Sequence, residues 1–298
     1  MCGIVGLFLK DQALKERLGN LLEGMLISMT DRGPDSAGIA VYGKPKSGRI
    51  KITVQSDSSD FDFKTLKDEL LKKIDESIIL QRNDSHAVLT VNASKSDAVR
   101  NVILNSSMNL RVISEGESIE IYKAVGEPRQ VASRFHLSEM CGSHAVGHTR
   151  MATESAVTTE GAHPFSTGKD QCLVHNGSLS NHNSLRRRLI RKGLRIESMN
   201  DTEVGAAYLT WKMQNGDSLD EALANSLRDL DGFFTFVVGT KNGFGVVRDP
   251  IACKPAVLAE TDQYVAFGSE YRALVHLPEI ETAEVWEPEP ATVYFWNH

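Results

Sequence analysis

Met1-Cys2-Gly3-Ile4-Val5-Gly6 is the stretch on which the reading of this chain turns. Initiator methionine is normally removed before a small second residue, which would leave Cys2 as the amino terminus. A terminal amine titrates near ~8, low enough to take up a proton at neutral pH. One residue would then carry both a thiol nucleophile and its base, the pairing used by enzymes with a terminal threonine. The plainer alternative is a small buried residue opening a β-strand, since a free cysteine packs as a small hydrophobe. The stretch alone leaves both open.

The chain around it has an ordinary globular composition. Its 298 residues, 41% of them hydrophobic, suffice for a sizeable core. The net charge of -6 comes from 39 acidic and 33 basic residues that are interspersed. That argues against a nucleic-acid or membrane surface and for small molecules and proteins as partners. Cys2, Cys141, Cys172 and Cys253 lie far apart, without a C-x-x-C or a histidine at zinc-finger spacing. No structural metal and no disulfide framework is indicated, and a reducing cytoplasm fits. No apolar run approaches the ~20 residues of a membrane span. The opening run is broken by Gly6 and lacks the basic flank of a leader peptide.

Residues 4–9 read as a wholly apolar strand, after which Leu14, Leu18, Leu21, Leu22, Met25 and Met29 recur at helical spacing. Thr30 to Gly38 is a turn in which Pro34 fixes φ and Gly33 relieves the backbone, ahead of the strand Ile39–Tyr42. From residue 44 to about 140 the texture changes. Polar runs, a helix with Leu66, Leu70, Leu71 and Ile74 on one face, and short apolar runs at 87–91 and 102–104 suggest an α+β elaboration. Arg111–Ile113 and Ile119–Tyr122 flank Glu115-Gly116-Glu117 like a hairpin. His86 and His136 are read as polar surface or satisfied core histidines.

At Gly147-His148-Thr149-Arg150 a strand runs into polar residues, placing Arg150 and Thr153 at or just past its end. An arginine there is a ready fork for a carboxylate, although a surface ion pair is the commoner fate of any arginine. The strand Cys172-Leu173-Val174 ends in His175-Asn176-Gly177. Asn-Gly ordinarily marks a tight turn. An asparagine amide beside a glycine N–H is also what an oxyanion hole requires. The basic run Arg186-Arg187-Arg188 is read as a solvated helix face. Asp201 stands where an N-cap belongs, before Val204, Ala207 and Tyr208, and Ser218-x-x-Glu221 is a capping box. Phe233–Val238, Gly245–Arg248, Tyr264–Gly268 and Thr292–Trp296 read as further strands.

In order along the chain, Cys2-Gly3-Ile4-Val5-Gly6, Arg32-Gly33-Pro34-Asp35-Ser36-Ala37-Gly38, Gly147-His148-Thr149-Arg150, Ala162-His163-Pro164-Phe165, His175-Asn176-Gly177 and Asp201-Thr202-Glu203 resemble the motifs of class II glutamine amidotransferases, the amino-terminal nucleophile (Ntn) hydrolases. The resemblance continues through Asp231-Gly232-Phe233-Phe234, Arg248-Asp249-Pro250 and Ser269-Glu270, so only about 50–115 lies outside it. It departs at Met151, where many relatives carry an aromatic residue, at Glu154, and after Pro250. It implies an α+β fold, a four-layer αββα sandwich of two antiparallel sheets, occupying residues 2–298 with an inserted α+β elaboration at about 50–115.

The resemblance also implies roles. Cys2 attacks the side-chain amide of L-glutamine, with its own α-amine relaying the proton. Asn176 and the Gly177 N–H stabilise the oxyanion, and water hydrolyses the thioester. Arg150 forks onto the substrate α-carboxylate with Thr153 nearby, Asp201 binds the α-ammonium, and His163 lies near the substrate. Arg32 and Asp35 support the loop beside the nucleophile. The chain as a whole looks most like the stand-alone amidotransferase subunit of N-methylglutamate synthase and similar split glutamate-synthase complexes. The expected partners are then a flavin and iron-sulfur subunit and a β-helix subunit. The FMN and the iron-sulfur cluster would sit in that partner, and no cofactor in this chain. The alternative is a catalytically silent subunit that senses glutamine or scaffolds such a complex.

Overall fold

Residues 2–74, 77–152 and 156–298 are described by the computed structural model. Gly3–Leu9 (β1) is buried along its whole length and leads, through the 3-10 segment Gln12–Arg17, into the helix Leu18–Ile27 (α1) and the strand Ser36–Tyr42 (β2). Then come Arg49–Ser56 (β3), Phe63–Ile74 (α2), Ile79–Asn83 (β4), His86–Asn92 (β5), Ser96–Leu104 (α3) and Leu110–Gly116 (β6). Ile119–Val125 (β7), Pro128–Arg134 (α4) and His144–Arg150 (β8) follow. Gln171–Leu179 (β9) precedes three helices, His182–Arg191 (α5), Asp201–Gln214 (α6) and Leu219–Asp229 (α7). Gly232–Thr240 (β10), Gly243–Arg248 (β11), Val257–Glu260 (β12), Tyr264–Gly268 (β13), Glu284–Trp286 (β14) and Val293–Asn297 (β15) complete the chain.

A strand that is apolar on both faces must be covered on both. β1 lies at the centre of a seven-stranded sheet, β14-β12-β13-β1-β8-β2-β7, whose pairings are antiparallel. Its side chains alternate between two cores, as the two-residue period of a strand dictates. Val5, Leu7 and Leu9 join Leu18, Leu22 and Met25 of α1 and Val131 of α4 on one side. Ile4 and Phe8 meet Val174, Val237 and Phe244 on the other. The latter three belong to the second sheet, β15-β11-β10-β9, also antiparallel. Gly6 faces that sheet, and a Cβ there would come 2.6 Å from the Phe244 ring. The outer face of the second sheet, with Phe234, Phe236 and Val238, is covered by Leu185 and Leu189 of α5, Val204 of α6 and Leu223 of α7. Helices, sheet, sheet and helices make the expected four-layer αββα sandwich.

Residues 49–116 form a third sheet, β4-β5-β3-β6, with α2 and α3 packed on it. It has its own core of Ile52, Val54, Leu66, Leu70, Leu89, Val99 and Ile103. The hairpin expected around Glu115-Gly116-Glu117 is not formed. β6 pairs with β3 in this third sheet, whereas β7 pairs with β2 in the seven-stranded one. The carboxylate of Asp170 explains how the chain changes sheets there. It accepts bonds from the N–H groups of Glu117 (2.7 Å), Ser118 (2.8 Å) and Ile119 (3.1 Å) and from the Ser118 hydroxyl, so the turn is tied to the core rather than folded on itself. The apolar run 102–104 is helical, because Val99 and Ile103, four residues apart, bury one face of α3. The periodic run from Leu14 to Met29 is likewise divided between the 3-10 segment and α1. Among the described residues no helix is long and apolar enough to cross a membrane.

Candidate active site

Cys2 is half-buried just ahead of β1, its sulfur 3.9 Å from the Met151 carbonyl oxygen. The Cys2 carbonyl is held from two sides: Arg32 Nε donates to it at 2.9 Å and Asn176 Nδ2 at 3.2 Å. Arg32 is buried and is itself fixed by Glu270 at 2.6 Å, which also pairs with Arg272 at 2.7 Å. These cations hold the Glu270 carboxyl below its ordinary pKa, the Arg32 hydrogen bond being the largest cause. The following residues are pinned as firmly. Ile4 N–H donates to Ser269 Oγ and Ser269 N–H to the Ile4 carbonyl, both at 2.9 Å. Gly3 has no room for a side chain, since a Cβ would fall 2.7 Å from Thr149 Oγ1 and 2.8 Å from the Met29 Cβ. Position 2 is thus set by backbone contacts on both sides, leaving its thiol as the part free to vary.

The register of β1 on β8, Gly3 opposite Thr149, brings Arg150 to the same end of the sheet as Cys2. Asp35 steadies that end: its N–H donates to the Arg150 carbonyl (3.1 Å) and its carboxylate accepts from Ala152 N–H (2.8 Å). Arg150 is buried, with Ala156 O among its contacts at 3.5 Å. Thr153 lies outside the described residues, as does Met1.

Asn176 and Gly177 come from β9. Gly177 has φ +149, and a Cβ would sit 2.0 Å from the Phe233 carbonyl, so no other residue fits this backbone. Asp201 corrects the sequence reading in one respect: it is the first helical residue of α6, and Asn200 is the N-cap, accepting from Thr202 N–H at 2.9 Å. Asp201 is thereby released from capping. Its Oδ2 accepts from Leu179 N–H at 2.9 Å, placing the carboxylate beside the Asn176-Gly177 end of β9.

His163 is not on the open side of this arrangement. It is buried, its Nε2 bonds Thr202 Oγ1 at 2.7 Å, and its ring stacks on His148 at 4.0 Å. Thr202 Oγ1 also meets His175 Nδ1 at 3.0 Å, and His148 Nε2 meets the His175 carbonyl at 3.2 Å. These three histidines form a neutral packed layer behind the Asp201 end of α6. Burial pushes His148 down to about 3 and lowers His163 and His175 as well. His86 and His144 are also brought to about 3 by burial. A folded-state pKa below the unfolded 6.5 means stability that is complete above pH 6.5 and is lost as pH falls through the window from 6.5 toward 3. Each such histidine steepens the loss by about 1.4 kcal/mol per pH unit. Chemical denaturation at pH 7.5, 6 and 5 should show the midpoint falling steeply below pH 6.5, and a flat profile would contradict the layer's neutrality.

A family model described as a glutamine amidotransferase domain matches residues 148–276. The glutamine amidotransferase-like protein GlxB of Rhizobium meliloti (strain 1021) is 62% identical over 298 residues, covering 100% of this chain and 99% of that protein. The chain belongs to the glutamine amidotransferase family. A putative glutamine amidotransferase of Methanothermobacter thermautotrophicus is 33% identical over 99% of both chains. Among solved structures, the glutamine phosphoribosylpyrophosphate amidotransferase from B. subtilis matches with a TM-score of 0.63 at 20% identity, over 99% of this chain and 47% of that one. What is shared with it is the fold, and the chain spans about half its length.

Several residues that shape the candidate site were not marked as such by the sequence. Thr202 and Glu270 lay inside matching motifs but received no role. Glu203 also lay inside a motif without a role, and it accepts from Glu197 N–H and from the N–H and hydroxyl of Ser198; Lys123 gave no usable signal, because its partners are backbone carbonyls about forty residues away. Among the described residues no group of three or more His, Cys, Asp or Glu side chains is arranged to hold a metal ion.

Proposed function

We propose that this amidotransferase hydrolyses L-glutamine to glutamate and ammonia through a thioester on Cys2. The observation that carries the reading is the position of Asn176, whose amide bonds the Cys2 carbonyl and so stands next to the nucleophile. In the proposed reaction the Cys2 thiol gives its proton to its own α-amine as sulfur bonds to the amide carbon. Negative charge moves onto the amide oxygen, opposite the second N–H of Asn176 Nδ2 and the Gly177 N–H. The α-amine then returns the proton to the leaving nitrogen, the C–N bond breaks, and ammonia departs. Water adds to the thioester and releases glutamate and the thiol.

Arg150 and Asp201 would bind the α-carboxylate and α-ammonium, and their separation from Cys2 selects glutamine over shorter amides. An amidase for a plain acyl amide has no use for such a pair. The ammonia acceptor is assigned to a glutamate-synthase-like or N-methylglutamate synthase complex, with a flavin and iron-sulfur subunit and a β-helix subunit as partners. Support for this comes from the overall pattern of the chain and its insertion, and copurification from the native host tests it.

The glutamine analogue 6-diazo-5-oxo-norleucine is expected to add once to the mature chain at Cys2, as read by intact and peptide mass spectrometry, and excess glutamine should protect. Absence of an adduct on chain lacking Met1 would reject the mechanism. Glutamine binding without ammonia release, with or without partner subunits, would instead favour the glutamine-sensing reading.

A further inference from the structure

Lys123 is a lysine where the sequence offers no reason for one. It lies on β7 opposite Gly38 of β2 and is 4% exposed. Its ammonium donates to the carbonyl of Ala162 at 2.7 Å and reaches those of Glu160 and Pro164, both at 3.4 Å. It also stands 4.4 Å from the centre of the Phe165 ring. Three N–H donors thus meet three carbonyls of one irregular segment, 160–164, and among the described residues no carboxylate is hydrogen-bonded to them. Taking an ammonium out of water is costly, and these carbonyls and the ring offset that cost.

The segment so gathered touches both ends of the proposed substrate pocket. A Cβ on Gly161 would lie 3.2 Å from Arg150 Nη1, so the backbone there lies against the guanidinium. The Gly161 carbonyl accepts from Asn200 Nδ2 at 3.3 Å, and Asn200 is the cap of the helix that begins at Asp201. His163 reaches the same helix through Thr202. On the other side, the His163 carbonyl fits against Gly38, where a Cβ would come within 2.0 Å of it. Residues 160–164 therefore form a brace between Arg150 and Asp201, and Lys123 is what gathers their carbonyls inward.

We infer that Lys123 is a positioning residue that sets the spacing between Arg150 and Asp201, and with it the affinity and selectivity for the α-amino acid end of glutamine. The inference rests on the glutamine reading above and adds to it a residue that touches neither substrate nor Cys2. Loss of its grip should act on substrate binding and leave the thiol chemistry intact.

Charge on Lys123 matters to that grip, since a neutral amine has two donors for three acceptors. Burial lowers its pKa to about 8; Glu203 and Glu160 oppose the shift, while Arg111 and Arg150 add to it. The groups facing it are Glu203 of α6, Glu160 and His163 of the brace, Glu197 ahead of α6, Arg111 of β6, Arg150 of β8 and His86 of β5. Glu203 is itself occupied by Glu197 N–H and by the N–H and hydroxyl of Ser198. Lys123 is accordingly charged below pH 8, and the brace slackens above it.

Steady-state ammonia release should be measured for the mature protein, with partner subunits where these are needed for turnover, and for Lys123→Met and Lys123→Arg. Lys123→Met is expected to raise the KM for glutamine about tenfold or more, with kcat changed far less and iodoacetamide alkylation of Cys2 unchanged. Wild-type KM should already rise from about pH 7 to about pH 8.5, before glutamine's own α-ammonium loses its proton, and that part of the rise should be absent in Lys123→Arg, whose charge does not titrate there. A folded Lys123→Met with wild-type KM, or the same alkaline rise in Lys123→Arg as in wild type, would overturn the inference. Should Lys123→Met fail to fold, the pH profile of Lys123→Arg decides. If the wild type releases no ammonia, the glutaminase reading has failed, and the same comparisons made on the glutamine dissociation constant still judge Lys123.

Discussion

Cys2→Ala should release no ammonia from glutamine while unfolding at nearly the wild-type temperature. The two halves of this expectation come from different atoms of the same residue. The backbone of position 2 is held by Arg32 and Asn176 on its carbonyl, and the next residues by Ser269. An alanine keeps all of these bonds. The thiol is half-buried and its one described contact is at 3.9 Å to a carbonyl oxygen, so truncating it should cost under about 1 kcal/mol. Activity is another matter, because the thioester cannot form without sulfur and the remaining α-amine is a base with nothing to activate. Cys2→Ser separates nucleophilicity from shape, and it too should be nearly inactive, since a hydroxyl is far less ionised than a thiol at neutral pH. Ammonia release by Cys2→Ala at the wild-type rate, on protein freed of contaminating glutaminase, would remove Cys2 from the reaction. The same assay on chain that retains Met1 should also read zero, as its α-amine is then on the wrong residue.

Much of this arrangement was legible in the sequence because the fold is organised by patterns local to the chain. An apolar run such as 4–9 reads as a strand, and in the structure β1 is covered on both faces. The motifs pointed to Cys2, Arg150, Asn176, Gly177 and Asp201; the Asn176 amide bonds the Cys2 carbonyl, Arg150 ends β8 on the Cys2 side of the first sheet, and the Asp201 carboxylate bonds Leu179 of β9. Less legible was anything decided by a partner far away in sequence. The turn at 116–118 looked like a hairpin because both flanks are strand-like; Asp170, fifty-odd residues on, ties it to the core and sends the flanks to separate sheets. Asp201 looked like a cap because its neighbour Asn200, equally suited to capping, could not be told apart by spacing. Lys123 follows the strand-like run Ile119–Tyr122 with nothing in the sequence to mark it, and only the carbonyls of 160–164 give it a role. His163 was expected beside the substrate on motif alone, and the structure gives its ring to Thr202 and His148.

Asn176→Ala should lower kcat by about a hundredfold to a thousandfold, the usual consequence of removing one oxyanion donor, while KM for glutamine changes little. Asn176 does two things that the substitution removes together, since its Nδ2 already bonds the Cys2 carbonyl at 3.2 Å. A fall in activity could therefore reflect a displaced nucleophile instead of an unstabilised oxyanion. Two observations keep these apart. Arg32 holds the same carbonyl at 2.9 Å with its own anchor on Glu270, so one of the two bonds that place Cys2 survives. Alkylation of Cys2 by iodoacetamide, moreover, passes through no tetrahedral oxyanion and reads only the thiol's ionisation and access. If Asn176 serves the transition state, alkylation of Asn176→Ala stays near the wild-type rate as kcat collapses. If it serves mainly to hold Cys2, the two rates fall together. KM is the third reading: Arg150 on β8 and Asp201 on α6 do not bond Asn176, so substrate affinity should be spared. A KM that rises as much as kcat falls would mean that the end of β9, with Gly177 at φ +149, has been deformed, and the Asn176 amide would then lose its assignment as an oxyanion donor.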